Sequence, residues 1–322
     1  MKRVTSLLLL LMFMASTALI SQVNSVTNVL ERPQPQAEKP ILDKQLFNPA
    51  DVAERRQQVQ SDATGDIVFN LDVETICGDN QLLGCDFDGT YLWITGAGNA
   101  ANPNYIYQVD PVAGTLVNTY EQGTTTAWGM RDLAWVEADG LLYAGDEDGF
   151  YSIDPTDGTV TTVFAPTGMG VIRALAYDGT HFWTKSFGDD LYQFDIAGNI
   201  INTYSPTVAD ACYGAAYDWN EGFLYLFSQD DAMFYQFDLA GNHTGVTYDV
   251  SAAQTGGISG GAFFDYGQLY PGLATLSFLL QGTPDVVASM DLYPTFEFAV
   301  DVGIQAITEP VSGVELTASE PI

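Results

Sequence analysis

Five times between Leu83 and Pro271 the chain repeats one arrangement: a short strand of small apolar residues tipped by an aromatic, an acidic turn, and a second strand rich in aromatics. The first copy reads Leu83-Gly84-Cys85-Asp86-Phe87-Asp88-Gly89-Thr90-Tyr91-Leu92-Trp93, and the others run from Leu133 to Tyr143, Leu175 to Trp183, Ala215 to Tyr225 and Ala262 to Tyr270. A third strand follows each pair and ends in Asp110, Asp154, Asp195, Asp238 or Asp291, at steps of 44, 41, 43 and 53 residues. One such unit cannot bury both its faces alone. Units of about forty residues with several short strands each are buried by radial stacking, and the closed solution for four-stranded units is a β-propeller. The expected fold is therefore all-β, a propeller of five four-stranded blades. Six remain open if Phe296 to Ile307 belongs to a further degenerate blade. The segment Ile67 to Leu71, an orphan strand ahead of the first full repeat, is expected to pair as the outermost strand of the last blade and so close the ring.

Position within the repeat fixes what each strand does. First strands such as Ala174-Leu175-Ala176 and Gly214-Ala215-Ala216 are small, as crowding at an axis requires, while Trp93, Tyr143, Trp183 and Tyr225 on the second strands are wide enough to fill the gaps between blades. Asp88-Gly89, Asp148-Gly149 and Asp178-Gly179 supply hairpin turns.

The ends of the chain read differently. Lys2 and Arg3 followed by the apolar run Leu7 to Ala15 predict a secretory signal over residues 1–21, too short to span a bilayer comfortably, since that takes about 20 apolar residues; an uncleaved membrane anchor is the alternative. Residues 22–61, with Pro33, Pro35 and Pro40 among polar side chains, are expected to be a flexible leader. The propeller is expected over residues 62–300. Residues 301–322 alternate apolar and polar like the first strands of a truncated, immunoglobulin-like β-sandwich module.

The whole chain carries 41 Asp and Glu against 10 Lys and Arg, a net charge of −31. From Asp62 onward, 36 acidic residues face only Arg131, Arg173 and Lys185. Such a field repels nucleic acid and anionic membrane surfaces, so neither is expected as a partner. After signal cleavage a monomer outside the cell, not inserted in a membrane, is expected. Of the three cysteines, Cys77 and Cys85 flank a turn-rich loop and are expected to bridge in an oxidising compartment, leaving Cys212 a buried single thiol; a Cys85–Cys212 pair is the alternative.

The Asp-Gly-Thr-aromatic-Leu/Phe-Trp core of the repeat and its Tyr-x-Phe/Val-Asp strand ends resemble the secreted bacterial propellers of the broad YVTN/NHL-like superfamily. The chain is similar to modular surface proteins of Bacteroidota-type bacteria, in which a propeller precedes immunoglobulin-like modules and a C-terminal sorting domain. Gly272 to Asp285 is similar to that group's closing blade. The resemblance implies export and a binding or display role, with no catalytic residue to carry over.

Few constellations carry chemistry. Gly257-Ile258-Ser259-Gly260-Gly261 has the letters of a nucleophile elbow, but that device needs a strand-to-helix turn, and here an inner strand follows. His181 falls at the slot of Tyr91, and His243 in a turn. Asp86 with Asp88, and Asp146 with Asp148, place carboxylates two apart around glycine turns, a weak calcium pattern lacking a distal bidentate glutamate. No other cofactor is expected. The sharpest feature is the scarce positive charge. Arg131 and Arg173 share one repeat slot, four residues before Trp135 and Tyr177, where other copies carry Leu83, Tyr213 and Gly260. Both should reach one mouth of the axial channel, with Trp128 and Tyr213 as apolar walls, and paired guanidinium groups suit an anionic ligand. Neutralisation by Asp132, Asp210 or Glu137 is the competing role. The leading function is a secreted or surface-displayed, non-enzymatic propeller that binds a protein or glycan partner. The alternative is an extracellular propeller enzyme, lactonase-, lyase- or glutaminyl-cyclase-like, with its site at the axial opening.

Overall fold

The computed structural model describes residues 64–98, 103–253, 258–270 and 273–293, with Ile258 and Ser259 described by backbone alone. The expected signal, leader and C-terminal module, and Phe296 to Ile307, lie outside the described residues.

Five four-stranded antiparallel sheets make up the described structure. Blade 1 holds β2 (Leu82–Phe87), β3 (Leu92–Gly96), β4 (Tyr105–Asp110) and β5 (Thr115–Glu121). Blade 2 holds β6 (Leu133–Val136), β7 (Leu141–Gly145), β8 (Phe150–Ile153) and β9 (Val160–Phe164). Blade 3 holds β10 (Ala174–Tyr177), β11 (Phe182–Lys185), β12 (Leu191–Phe194) and β13 (Ile200–Tyr204). Blade 4 holds β14 (Cys212–Asp218), β15 (Phe223–Ser228), β16 (Met233–Phe237) and β17 (His243–Asp249). Blade 5 joins the two ends of the domain: β18 (Ile258–Tyr266), β19 (Ala274–Gln281) and β20 (Val286–Asp291) are completed by β1 (Asp66–Asp72), which pairs antiparallel with β20 from Asp66↔Asp291 to Asp72↔Val286. The orphan strand therefore closes the ring as its residues predict. A short helix, α1 (Val73–Cys77), capped by Asp72 and ended by Gly78 at φ 69°, leads from β1 into β2.

The core is divided among the blade interfaces. Trp93 packs with Leu133 and Leu142 between blades 1 and 2, Tyr143 with Phe182 between 2 and 3, Trp183 with Leu224 between 3 and 4, and Tyr225 with Phe278 between 4 and 5, while Leu92 and Ile94 meet Phe263 and Leu279 at the closing interface. All four wide aromatics of the second strands are buried. Turn aspartates satisfy the polar atoms these rings take inward: Asp88 accepts Trp93 Nε1 at 2.7 Å, Asp178 accepts Trp183 Nε1 at 2.7 Å, and Asp139 accepts the Tyr143 hydroxyl at 2.9 Å. The acidic turn and the aromatic strand are thus one device, which explains why they recur together.

At the axis the inner strands touch backbone to backbone. A Cβ on Gly84 would sit 2.0 Å from the Arg131 carbonyl oxygen, and one on Gly214 would sit 2.2 Å from that of Gly260. Neither neighbour can rotate aside. Gly84→Ala is therefore expected to cost about 3 kcal/mol or more, the upper end of overpacking, whereas Ala174→Gly at the same repeat slot should cost only about 1 kcal/mol. Urea unfolding followed by tryptophan fluorescence measures both, and equal losses would show that the axis is looser than described.

The expected disulfide is not formed: Cys77, Cys85 and Cys212 are all free thiols. Cys85 lies on an inner strand and turns its thiol across the closing interface, 3.3 Å from the Gly261 carbonyl, instead of back toward α1. Cys212 is likewise spent locally, 3.7 Å from the Gly214 carbonyl. Three titratable thiols per unfolded chain, without reductant, is the expected count. Among the described residues, no helix is long and apolar enough to cross a membrane.

Candidate functional site

Hairpin geometry decides which side chains share a mouth. The N-terminal end of each inner strand lies beside the C-terminal end of its second strand, so the residues entering β6 and β10 meet those leaving β7 and β11. Backbone bonds fix the entrance: Arg131 N–H donates to the Gly145 carbonyl at 2.9 Å, Asp132 N–H to that of Arg173 at 3.2 Å, and Thr95 Oγ1 to that of Arg131 at 2.6 Å.

On this frame Arg131 is 1% exposed. Its Nη2 pairs with Glu147, from the turn after β7, and its guanidinium carbon lies 5.9 Å from the centre of the half-exposed Trp128 ring. The Nε and Nη1 atoms of Arg131 are buried and have no hydrogen-bond partner. Arg173 lies 4.1 Å over the Phe187 ring and 5.5 Å from Tyr213, and its Nε donates to Ser186 Oγ at 3.2 Å. Burial first, and then the positive charge of Arg131, push the Arg173 guanidinium below the ordinary arginine range. Burial raises the Tyr213 phenol, and both arginines oppose that rise. Arg131, Arg173, Trp128 and Tyr213 therefore gather at one mouth. Lys185 ends β11 at the same end, facing Ala174 in register, and donates to the Asp189 carbonyl. Every basic side chain from Asp62 onward is thus collected there.

The counter-ion is Glu147, which replaces the expected candidates. Asp132 follows Arg131 directly, so strand alternation turns its side chain inward to the axis. There its carboxylate accepts N–H groups from three inner-strand residues, Leu133 at 2.9 Å, Leu175 at 3.0 Å and Ala215 at 2.9 Å. A Cβ on Gly261 would stand 2.0 Å from its Oδ1. Asp132 therefore plugs the axis, and burial pushes its carboxyl well above the usual range against the pull of those three N–H groups. Glu147, Ser186, Phe187 and Lys185 were missed as members of the mouth, although each lies at or just beyond the end of a second strand in the two blades that carry the arginines.

Three of the four aspartates with a weak calcium pattern are engaged by the fold, and Asp148 is exposed in its turn. Asp86 accepts Phe87 N–H at 2.6 Å and also Trp135 N–H; Asp88 accepts the N–H groups of Thr90 and Tyr91; Asp146 accepts those of Asp148 and Gly149 and the hydroxyls of Thr126 and Tyr151. Among the described residues no group of three or more potential ligands gathers around one point. Ser259 lies within β18, which runs on to Tyr266, so the strand-to-helix turn of a nucleophile elbow is not built there.

No protein-family model and no curated protein sequence matches the chain. Solved structures do. Myxococcus xanthus glutaminyl cyclase superposes with a TM-score of 0.53 at 12% identity, over 70% of this chain and 96% of that one. The nidogen/laminin complex matches at TM-score 0.45 and 14% identity over 66% and 76% of the two chains, and virginiamycin B lyase from Staphylococcus aureus with quinupristin at 0.40 and 13% over 65% and 66%. Likeness at this identity speaks for fold alone. The chain is a five-bladed β-propeller.

Proposed function

We propose that this propeller is a non-enzymatic binding module, exported and displayed at a bacterial surface, whose arginine mouth takes a carboxylate of a glycan or protein partner. The observation that carries the reading is the buried Arg131 guanidinium with Nε and Nη1 unpaired. Leaving a buried donor unmade costs about 1–3 kcal/mol. Nε and Nη1 lie on different edges of the guanidinium, on either side of the Nη2 that Glu147 takes, and each can give one acceptor oxygen a charge-assisted hydrogen bond. Arg173 beside it adds a second positive charge, and Trp128 offers an exposed ring on which the rest of a ligand can lie. With 36 acidic residues from Asp62 onward, this concentration of positive charge also makes the mouth selective.

The test is retention on immobilised uronic-acid glycans and acidic peptides. The Arg131→Ala/Arg173→Ala variant is expected to bind at least about 100-fold more weakly, roughly 2.7 kcal/mol, when measured below its melting temperature, which falls because Arg131 is a buried, ion-paired side chain. Arg131→Lys keeps the charge without the Nε and Nη1 donors and should recover only part of the affinity. A large loss of stability with unchanged binding would make the arginines structural counter-ions. The extracellular-enzyme alternative is favoured by Glu147, a part-exposed carboxylate that pairs with Arg131 and acts electrostatically on Arg173. Turnover of a glutaminyl peptide, abolished by Glu147→Gln, would establish it in place of the binding module.

A further inference from the structure

The positive charge of the arginine mouth is bordered by acids. Glu147, which pairs with Arg131, has a part-exposed side chain, and Asp148 beside it in the turn after β7 is exposed. On the blade 3 side, the carbonyl of the exposed Asp210 accepts the Gly188 N–H at 3.0 Å, which holds Asp210 against the turn after β11. Asp189, in that same turn, stands over the approach to β10, its Oδ2 2.7 Å from the place that a Cβ on Gly170 would take. Two exposed rings accompany the guanidinium groups, each beside its own arginine: Trp128, 45% exposed, by Arg131, and Phe187, 40% exposed, by Arg173. Two cations, two apolar ring faces and a rim of carboxylates therefore share one small area.

Resting on the carboxylate reading of this mouth, we propose that its ligand is a glycan with one isolated acidic sugar in an otherwise neutral chain. Charge sets the spacing of the acids. A carboxylate oxygen on Arg131 or Arg173 gains a charge-assisted hydrogen bond, whereas a second carboxylate one sugar further on comes under the rim of Glu147, Asp148, Asp189 and Asp210. Exposed charges act on one another over about 8 Å at physiological salt, and like charges brought together in this way exclude wrong partners. A polyuronate or a strongly acidic peptide is disfavoured on that ground, the more so with 36 acidic residues from Asp62 onward. The rings and the rim also choose the neutral remainder. An exposed ring offers a flat apolar face to the C–H face of a pyranose, and carboxylates accept hydroxyl groups in charge-assisted bonds. Each sugar presents both a C–H face and several hydroxyl donors, while each peptide residue presents a single backbone N–H. The glycan is the better match.

Calorimetry of the full chain with defined ligands tests the inference: xylotetraose bearing one 4-O-methylglucuronate branch, unbranched xylotetraose, tetragalacturonate, and a blocked tetrapeptide, acetyl-Ala-Glu-Ala-Ala-amide, with a single carboxylate. In about 20 mM salt the branched xylotetraose is expected to bind at least about 10-fold more tightly than each of the others. Raising the salt to about 500 mM should narrow its lead over tetragalacturonate at least about threefold. Asp148→Asn/Asp210→Asn, at two exposed positions, should narrow that lead by a similar factor without added salt. Phe187→Ala should weaken the branched xylotetraose at least about threefold. Tetragalacturonate or the peptide binding as tightly as the branched xylotetraose, a lead indifferent to salt and to the double variant, or binding indifferent to Phe187→Ala would overturn the isolated acidic sugar and leave the carboxylate mouth standing. Equal binding of branched and unbranched xylotetraose, binding unmoved by Arg131→Ala/Arg173→Ala, or no binding of any of these ligands would overturn the carboxylate mouth itself, and this inference with it.

Discussion

Asp132→Ala is expected to destabilise the domain by about 3–6 kcal/mol. Three backbone N–H groups, of Leu133, Leu175 and Ala215, lose their acceptor at the most crowded place in the molecule. Each buried donor left unmade costs about 1–3 kcal/mol. Nothing nearby can replace the carboxylate, because the adjoining inner strands carry Gly84, Gly214 and Gly261 and are already in contact. For a domain of this size the loss corresponds to a fall of about 10–20 °C in melting temperature. Asp132→Asn keeps one oxygen able to accept and should recover at least half the loss. Asp148→Asn, in an exposed turn, should be nearly neutral. Calorimetric melting of the three variants decides the matter, and an Asp132→Ala loss below about 1 kcal/mol would mean that the axis is held by strand packing alone.

Stability should rise as pH falls from 8 to 5. Burial raises the carboxyls of Asp86, to about 7, and Asp265, to about 6, and lifts Asp132 well above its ordinary range. A carboxyl with a raised pKa binds more protons in the folded than in the unfolded chain between the two values, so stability is lost as pH climbs through the folded value. Each tenfold difference in proton affinity between the folded and unfolded chain is about 1.4 kcal/mol, so Asp86 and Asp265 together contribute about 4 kcal/mol between pH 5 and 8. That is a melting temperature about 10 °C higher at pH 5. The reverse set, Asp154, Asp195, Asp238 and Asp249, lies in exposed turns with depressed pKa values, and its contribution disappears only as pH falls below the ordinary carboxylate range. The maximum should therefore fall near pH 4–5, roughly at the unfolded carboxylate value. Asp86→Asn should flatten the profile between pH 5 and 8. A profile that rises toward pH 8 would contradict the burial of these groups as ionisable acids.

The ring was legible because one physical demand recurs at fixed spacing. A small inner strand, an aspartate that takes an indole N–H, and a wide aromatic that fills the blade gap must recur together, and Trp93 with Asp88 and Trp183 with Asp178 show why. The closing strand was legible for the complementary reason, as a β segment with no partner in its own repeat. The convergence of Arg131 and Arg173 followed from their shared slot. What each side chain does at that slot did not follow. Strand alternation sends Asp132 to the axis, so the counter-ion comes from Glu147 across a hairpin. The same directional uncertainty defeated the cysteine pairing, since an eight-residue spacing says nothing of Cys85 facing Gly261 in another blade. Asp132 did leave a trace in the sequence, as a lone acid where the other copies carry Gly84, Ala174, Gly214 and Gly261. Departures from the repeat, more than the repeat itself, mark the arginine mouth and the axial plug.

The most direct measurement is nitrogen-15 NMR of the arginine Nε–H groups while a uronic-acid oligosaccharide is titrated into the full chain. With few arginines in the sequence, Arg131 and Arg173 can be assigned by substitution. A carboxylate oxygen seated on the unpaired Nε of Arg131 predicts a saturable downfield shift of the Arg131 Nε–H, a smaller one at Arg173, and none at Arg32, Arg55 or Arg56. An unmoved Arg131 resonance, or equal and unsaturable shifts at all arginines, would contradict a built carboxylate site at this mouth.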